Sequence, residues 1–586
     1  MSFWQELKRR SVFRVGAVYL AVAWLIAQIV SVVNDPLSLP GWFDTVVILL
    51  LAGGFPVALV LAWALEITPD GIRVDDSAAA RPSGRPLVKG RTIDFAIIGV
   101  LVAALGLTLW NRDGPAPPNS IAVVRFQNQT EDPGQNYLSS GIPSEILNRL
   151  IPVEGLRVAG ENSSFQFDVG AGDYATIGRM LNVSYVLEGS FIKSGNRIRV
   201  RPRLVQTSDG VAVWSDAYDG EGDDIFTILP DIAIAVADAL SVELGIREPQ
   251  MRYFGTDSGE AFDHFLKGRE LWRSDPRAAI AEFTRATEID SNYALPWAWM
   301  SNSYGFLVLG STSQDEFDEN YARMEAAASR SVALGPRIWE THHSLAWALL
   351  GRSDWIGATE AYQRAVDLVR SSGARMTFQY ATFIEVFGHM AEAVRRLETL
   401  REIDPLNEEN SLFLRNALVV MGRYDEARAE AERFGIEYMP DGFNFPWFMD
   451  SGEVDQVQSM LAKLPAGTIG PRLAGVIPSR EATLDLIREW LDEPGFRSRP
   501  ELVHISFWAA WFDDTDLAVE VLRKAFLTDG WGQYFLIWHD VLSDTRRTPA
   551  FKQFLRDLGF VDLWRQTGEW NEYCQPLRGG DDFECH

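Results

Sequence analysis

The sequence has 586 residues, of which 47% are hydrophobic and 23% charged, and this composition excludes wholesale disorder. The formal net charge is −26, and all of the negative excess lies in residues 119–586, because residues 1–118 hold ten basic and nine acidic residues. A portion this acidic repels phosphate backbones, which argues against nucleic-acid binding. Only two cysteines are present, Cys574 and Cys585, so a disulfide-rich framework and a cysteine-based zinc site are excluded.

Three apolar segments near the N-terminus have the length and composition expected of membrane-spanning helices. The first contains the uncharged run Val15–Val33, which is too long for a signal peptide and is followed by no small-residue cleavage site. We therefore predict a membrane module at residues 1–111, with three transmembrane helices at about 12–33, 44–66 and 93–110.

The distribution of lysine and arginine predicts how this module would be oriented. Basic residues precede the first segment and recur in the loop 66–94, whereas the loop 34–45 has none. Because basic loops stay in the cytoplasm, we expect the N-terminus in the cytoplasm of a bacterial inner membrane and residues 112–586 in the periplasm. If the third segment does not span the membrane, residues 112–586 are cytoplasmic instead.

A proline-rich linker at residues 112–119 leads into a segment in which strand and helix patterns alternate. Over residues 120–246 the apolar periods follow the order β-α-β-α-β-β-β-α. Turn signals at Ser194–Asn196 and Ser208–Gly210 separate the last three strands. This order predicts a small α/β domain with a mixed sheet and helices packed on it.

Four stretches of this segment are similar to a known domain. They are SIAVVRFQN from Ser120, YLSSGIPSEILNRL from Tyr137, the strands from Tyr185 to Tyr218, and DDIFTILPDIAIAVADAL from Asp223. They resemble the TolB N-terminal-type domain of bacterial membrane proteins that also carry tetratricopeptide repeats. The N-terminal FWQELKRRSVFRVGAVYLAVAWL resembles the membrane module of the same proteins, where it is often joined to an adenylate cyclase or a winged helix, neither of which is found here. The resemblance implies envelope-associated signalling or assembly and transfers no catalytic residue.

From about Ala261 the sequence becomes helical and periodic. A pattern of small and apolar residues recurs 34, 35 and 34 residues apart, as expected for the second helix of a tetratricopeptide hairpin, where small residues allow close helix packing. The pattern starts at Met324, Ala358, Ala393 and Ala427. We predict tetratricopeptide repeats over 258–436, degenerate helical repeats over 437–560, and a polar loop at Gly310–Asn320. Together these form an all-α solenoid of roughly five to seven hairpins.

A solenoid of this kind presents a groove lined by the first helices of its hairpins, and such grooves bind extended or helical peptide segments. Candidate groove residues are Trp297, Tyr304, His342, His343 and Tyr380. The alternative for each aromatic side chain is a place in the core of its own hairpin, where aromatic residues are usually buried.

The last residues, 561–586, are rich in aromatic side chains and are predicted to form a C-terminal cap on the final hairpins. Within this cap Cys574 and Cys585 are candidates for a disulfide if residues 112–586 reach the periplasm. Two free thiols, or a metal clip that includes His586, are the alternatives.

Motifs that carry chemistry are missing from the sequence: there is no phosphate-binding loop, zinc-protease motif, nucleophile elbow or kinase motif. We therefore expect no catalytic residue, no metal site and no cofactor. The favoured function is a membrane-embedded scaffold in the bacterial envelope that binds proteins or peptides through the groove. The alternatives are a signalling receptor whose α/β domain senses a ligand and, with least support, an enzyme without a recognisable motif.

Overall fold

The computed structural model describes residues 65–68, 71–74 and 116–586. Within the last range the described residues exclude positions 131, 154, 168–172, 196, 222–223, 241–254, 312, 369–373, 494–498, 528–533 and 579–581. The chain divides into two compact units, Met1–Asn111 and Arg112–His586, and each is described by itself.

In the first unit the described residues form an antiparallel hairpin of β1 (Leu65–Thr68) and β2 (Gly71–Val74). Leu65 and Glu66 were expected at the end of the second membrane helix and lie in a strand instead. The β-branched residues that follow them in both strands, such as Ile67 and Ile72, favour extended backbone and account for this difference.

The prediction that transmembrane helices form part of the fold class is corrected by the structure. Among the described residues, no helix is both long enough and apolar enough to cross a membrane. The hairpin replaces the end of the predicted segment 44–66, and the rest of that segment, together with 12–33 and 93–110, lies outside the described residues. The described chain is mostly helical, with one α/β domain that precedes the helical region.

The second unit begins with a mixed β-sheet. Its strands are β3 (Ser120–Val123), β4 (Gln127–Asn128), β5 (Arg157–Val158), β6 (Tyr185–Ser194), β7 (Arg197–Gln206), β8 (Ala212–Ser215) and β9 (Tyr218–Glu221). The strand order is β5-β3-β6-β7-β8, with β4 also paired to β6 and β9 to β7. β3 runs parallel to β5 and β6, whereas β7 runs antiparallel to β6, β8 and β9. Parallel neighbours need crossover connections, and helices supply them here.

Helices cover parts of both faces of this sheet. They are α1 (Tyr137–Leu150), α2 (Glu161–Ser164), α3 (Tyr174–Leu181) and α4 (Ile225–Ala239). α1 and α4 share a core with Leu187 and Val200, while α3 packs through Ile177 on the opposite face. Arginine alternates with buried residues along β7, so this strand is buried on one face and presents a row of guanidinium groups on the other.

Five consecutive helix pairs follow in the described chain. They are α5 (Gly259–Leu271) with α6 (Pro276–Ile289), α7 (Ala294–Leu309) with α8 (Gln314–Leu334), α9 (Trp339–Gly351) with α10 (Trp355–Leu368), α11 (Ala374–Val386) with α12 (Met390–Ile403), and α13 (Glu408–Val420) with α14 (Tyr424–Arg433). The two helices of each pair pack against each other. A Cβ atom on Gly268 of α5 would lie 2.4 Å from the ring of Phe283 in α6, which shows why a small residue is needed at the crossing.

The helical region thus has a tetratricopeptide-like repeat fold, and the predicted spacing is confirmed. The small residues that start the pattern in the later pairs, Ala358, Ala393 and Ala427, are fully buried between their helices. The predicted polar loop Gly310–Asn320 is mostly helical instead, because α8 begins at Gln314. Ser313 caps this helix by accepting a hydrogen bond from the backbone of Glu316 at 3.3 Å, and such a cap stabilises an early start.

The remaining helices form a second helical region. They are α15 (Phe445–Asp450), α16 (Val454–Ala462), α17 (Gly470–Ala474), α18 (Arg480–Asp492), α19 (Arg499–Trp511), α20 (Thr515–Phe526), α21 (Ser543–Arg546), α22 (Pro549–Leu558) and α23 (Phe560–Thr567). α19 and α20 again pack as a pair, with Ala518 and Ala525 fully buried. A short antiparallel ribbon of β10 (Cys574–Pro576) and β11 (Phe583–Cys585) ends the chain, and a disulfide joins Cys574 to Cys585.

This second region folds back and packs against the helix pairs instead of stacking after the fifth pair as further repeats. Trp538 donates a hydrogen bond from Nε1 to the carbonyl of Val386 at 3.0 Å, and Asn571 donates from Nδ2 to the carbonyl of Phe387 at 3.0 Å. Trp355, at the start of α10, donates to the carbonyl of Leu558 at 2.6 Å. The later helix pairs and the C-terminal region therefore share one hydrophobic core.

Candidate protein-interaction surface

The first helices of the five pairs carry aromatic side chains that remain partly accessible. Phe306 is 39% exposed, and Trp272, Trp347, Phe378 and Phe413 are half-buried. These five residues are called the first-helix surface below. The helices or helix ends that carry them are neighbours, since α5, α7 and α9 contact one another in turn, as do α11 and α13.

At the N-terminal end of the first-helix surface three aromatic rings meet edge to face. The ring of Trp272 lies 5.1 Å from that of Trp299 and 5.4 Å from that of Phe306. The guanidinium of Arg273 lies 4.5 Å from the centre of the Trp272 ring, within the range of a cation–π interaction. The aromatic rings can therefore contact an apolar side chain of a partner, and the guanidinium can donate to a hydrogen-bond acceptor next to that side chain.

In the middle of the surface His343 connects α9 to α11. Nε1 of Trp347 donates a hydrogen bond to Nε2 of His343 at 2.8 Å, and the side-chain amide of Gln379 lies 2.7 Å from the same nitrogen. The His343 ring also packs edge-on against Trp339 at 5.9 Å and Tyr362 at 5.9 Å. These contacts fix the Trp347 indole, which stays partly accessible.

The C-terminal end of the surface is built on α11 and α13. Phe378 packs edge-on against Phe413 with 5.1 Å between the ring centres. Nearby, the guanidinium of Arg396 lies 4.4 Å from the centre of the Tyr380 ring. α11 thus carries one aromatic ring that packs against α13 and another that packs against Arg396 of α12.

The candidates Trp297 and Tyr304 occupy positions of the hairpin signature. Both are half-buried and pack against the core shared by the α/β domain and the first two pairs. Nε1 of Trp297 is buried without a hydrogen-bond partner among the described residues. Their neighbour Phe306, two positions beyond Tyr304, is an exposed aromatic side chain of the same helix.

The other three candidates differ in their surroundings. Nε2 of His342 lies 2.9 Å from the carbonyl oxygen of Pro336, so this ring is engaged with the turn that precedes its helix. His343 is mostly buried beneath Trp347, and the half-buried Tyr380 packs beside Arg396. That these residues bind a partner remains a prediction. The sequence analysis did not predict a role for Trp272, Phe306, Trp347, Phe378 or Phe413. Their positions close to the residues of the repeat signature could have indicated that they lie on the first helices.

One acidic residue of α11 is buried in the protein. Glu385 is 3% exposed, and its Oε1 has no hydrogen-bond partner in the described part of the chain. Burial raises the pKa of this carboxyl to about 8, because the charged form cannot be hydrated. At neutral pH the group is therefore mainly protonated. Among the described residues, no three His, Cys, Asp or Glu side chains are grouped so as to hold a metal ion.

A polar cluster joins the α/β domain to the first helix pair. Asp263 of α5 accepts a hydrogen bond from Nζ of Lys193 at 2.7 Å and another from the hydroxyl of Tyr137, and Nζ of Lys267 lies 3.0 Å away. Burial opposes ionisation of Asp263, but these hydrogen bonds offset it, so the carboxyl pKa lies below its ordinary value. The ionised group holds the domain against α5.

A second candidate site lies on the α/β domain, where a shallow cavity of about 420 Å³ opens beside β7 and β9. Its walls include Arg197, which lies 3.6 Å from Glu221, and Arg199, which forms an ion pair with Asp219. Because each guanidinium already faces a carboxylate, the cavity has little net charge. It offers no strong site for a simple anion.

Comparison with known proteins gives limited matches. No family model matches the chain. The chain is similar to the putative adenylate cyclase 3 of Rhizobium meliloti (strain 1021), with 34% identity over 182 residues that make up 31% of this chain and 30% of that protein. The chain thus spans less than a third of the length of this curated relative.

Two solved structures are similar to parts of the chain. One is a thermophilic TPR protein from Thermus thermophilus, with 16% identity, coverage of 34% of this chain and 90% of that chain, and a TM-score of 0.24. The other is lipoprotein GNA1162 from Neisseria meningitidis, with 18% identity, coverage of 21% and 97%, and a TM-score of 0.17. The repeat fold is established by the helix pairs themselves.

Proposed function

We propose that the protein is a non-catalytic scaffold that binds segments of partner proteins on the first-helix surface. The observation that carries this proposal is the row of accessible aromatic rings on the first helices, from Trp272 and Phe306 to Phe378 and Phe413. Single exposed apolar residues are ordinary on protein surfaces, but aromatic side chains that continue across neighbouring helices suit an amphipathic or extended peptide.

The charge of the chain narrows the class of partner. A net charge of −26 attracts basic segments and repels acidic ones over about a Debye length. The expected occupant is therefore an apolar segment of a protein with basic residues on either side. The aromatic rings would bind its apolar side chains, and the acidic surroundings would raise the rate of association.

The proposed place of action is an oxidising compartment. The disulfide between Cys574 and Cys585 supports this location, because such bonds persist outside the reducing cytosol. A bacterial periplasm, and a domain of the TolB N-terminal type at residues 120–246, fit this proposal. The adenylate cyclase named for the relative is not part of it, because only 30% of that protein is matched.

Site-specific photocrosslinking in living cells tests the scaffold. A photoreactive amino acid replaces Phe306 in one full-length variant and Trp347 in another, and a third carries it at Ile436, which is 44% exposed outside the first-helix surface. We expect the same protein adduct from the first two positions and none from Ile436. Equal adducts from all three, or none from Phe306 and Trp347, would refute the proposal.

A second candidate function is ligand sensing by the α/β domain, and the cavity beside Arg199 and Asp219 favours it. Hydrogen exchange of the backbone in β7 and β9, measured with and without a low-molecular-mass extract of the cell, tests this role. Slower exchange limited to those strands would support a ligand. Unchanged exchange in those strands would contradict ligand binding in the cavity.

A further inference from the structure

A short segment of the α/β domain is inserted against the turn between α12 and α13. The backbone N–H of Ser163 donates to Oδ1 of Asp404 at 2.8 Å, and Oγ of Ser163 accepts from the backbone of Leu406 at 2.8 Å. The backbone of Gly160 donates to the carbonyl of Ile403 at 2.9 Å. Ser163 is fully buried and Asp404 is 4% exposed, so these bonds form in a low-dielectric contact where they are hard to replace by water.

The fit of this contact is close. A Cβ atom on Gly160 would lie 2.1 Å from the carboxyl carbon of Asp404, so even alanine cannot be accommodated without moving one side. Nη2 of Arg157 donates to the carbonyl of Glu402 at 2.8 Å, and burial lowers the pKa of this guanidinium. Buried hydrogen bonds, rather than general apolar packing, therefore fix the position of the α/β domain against this turn.

The same domain is fixed to the first helix pair at its other side. Arg269 of α5 donates to Oε1 of Glu145 at 3.0 Å and to Oγ of Ser144 at 2.9 Å, and both acceptors belong to α1. The α/β domain thus holds α5 and the turn before α13 at the same time. It bridges the first helix pair and the turn that joins the fourth pair to the fifth.

An ion pair connects the first helix pair directly to the fifth. Nη1 of Arg273 lies 2.7 Å from Oε2 of Glu409, at the start of α13. The guanidinium that makes this pair also lies 4.5 Å from the centre of the Trp272 ring, which packs against Phe306. The ion pair therefore lies over the N-terminal end of the first-helix surface.

We infer that the α/β domain is an intramolecular restraint that holds the first helix pair close to the turn before α13, keeps the Arg273–Glu409 ion pair in place and limits access to Trp272 and Phe306. The inference rests on the proposed function only for its biological meaning, because the restraint itself is a property of this chain. A partner segment that reaches this end must displace the Arg273–Glu409 pair. Release of the contact at Asp404 makes that displacement easier.

The chain contains a matched control for this contact. The sequence Glu-Ile-Asp ends α6 at Asp290 and also ends α12 at Asp404, so both aspartates follow the second helix of a pair. Asp290 accepts from Oγ1 of Thr256 at 2.6 Å and from the backbone of Asn292 at 3.0 Å. Asp290→Ala removes a carboxylate and its hydrogen bonds at an equivalent position but leaves the domain contact intact.

Thiol labelling of the full chain tests the restraint without any partner. A Phe306→Cys variant is labelled with a polymer-linked maleimide, while the two native cysteines are protected in their disulfide. The rate is compared in the same background with Asp404→Ala, Arg273→Ala or Asp290→Ala added. We expect Asp404→Ala and Arg273→Ala to raise the rate at least about fivefold, in the lower range of ordinary coupling between sites, and Asp290→Ala to leave it unchanged.

Equal rates in all variants, or the same increase with Asp290→Ala, would overturn the restraint. Circular dichroism identifies a variant that has lost its fold, and Glu409→Gln, which breaks the ion pair at an accessible side chain, then decides the question. The two proposals fail separately. Missing photoadducts at both Phe306 and Trp347 refute the scaffold, whereas unchanged labelling rates refute the restraint even if adducts form.

Discussion

The five helix pairs leave several aromatic rings accessible on their first helices, whereas the C-terminal helical region buries its central aromatic rings. In the pairs, Phe306 and Trp347 remain accessible on the first helices. In the C-terminal region Tyr534, Trp538 and Trp564 are almost completely buried, because the chain folds back over them onto the later pairs. An aromatic-rich helix pair can therefore bind a partner only where no later part of the chain covers its aromatic rings.

Replacing a buried ring of the C-terminal region should produce the largest loss of stability. The Trp538 ring stacks near Tyr573 at 5.5 Å, and its Nε1 donates to the carbonyl of Val386. Trp538→Ala removes this packing and leaves a cavity, so we expect the free energy of unfolding to fall by about 3–5 kcal/mol. Urea denaturation followed by circular dichroism measures the change.

Phe306→Ala is the matched substitution in the helix pairs. Because its ring is already 39% exposed, we expect a loss below about 1.5 kcal/mol. If the two substitutions cost the same, the contrast between a recognition surface and a stabilising region would be wrong.

Removing the disulfide should produce the next largest effect. Cys574 and Cys585 are 11 residues apart in sequence, and closing a loop of this size stabilises a folded domain by about 2–4 kcal/mol. A Cys574→Ala, Cys585→Ala double variant is expected to unfold at lower urea concentration by that amount. Reductant should lower the stability of the unmodified chain and leave the double variant unchanged; a chain insensitive to reductant would contradict the stabilising role.

The sequence predicted the helix pairs well because their packing is local. A small residue such as Ala393 must recur where two helices of one hairpin cross, and this leaves a regular spacing in the sequence. It could not predict which rings remain accessible. Whether Trp538 is covered depends on Val386, 152 residues earlier, and the pair of Arg273 with Glu409 also joins parts of the chain that are far apart in sequence.

The N-terminal segments and α8 show two other limits of the sequence. Apolar composition predicted helix through Glu66, but the β-branched residues next to it form a strand. Polar composition predicted a loop through Asn320, but the Ser313 cap and the acidic residues of the first turn start a helix there. In both places the local backbone preference of the residues determined the secondary structure, and hydrophobicity alone gave the wrong prediction.

The buried carboxyl of Glu385 should make the stability of the helix pairs depend on pH. Its pKa is about 8 in the folded chain against an ordinary value of 4.5, so the folded state holds a proton that the unfolded state releases. The contribution of this group is therefore fully present below pH 4.5 and is lost as pH rises toward 8, by at most about 1.4 kcal/mol per pH unit.

The Glu385→Gln variant tests this dependence, because an amide keeps the shape of the protonated acid and cannot ionise. We expect unfolding midpoints, measured in urea at about pH 6, 7 and 8, to fall less steeply in the variant than in the unmodified chain. Parallel pH profiles for the two proteins would show that Glu385 is not the group responsible.

The smallest expected change in stability belongs to the ion pair between Arg273 and Glu409. Both side chains are partly exposed, at 46% and 29%, and such pairs contribute about 0–1 kcal/mol, with screening by salt. Glu409→Gln should therefore barely move the urea midpoint, although it should raise the labelling rate of Phe306→Cys. A residue whose removal changes access to an aromatic surface but not the stability of the fold controls partner binding. A large loss of stability in this variant would show instead that the ion pair mainly stabilises the fold.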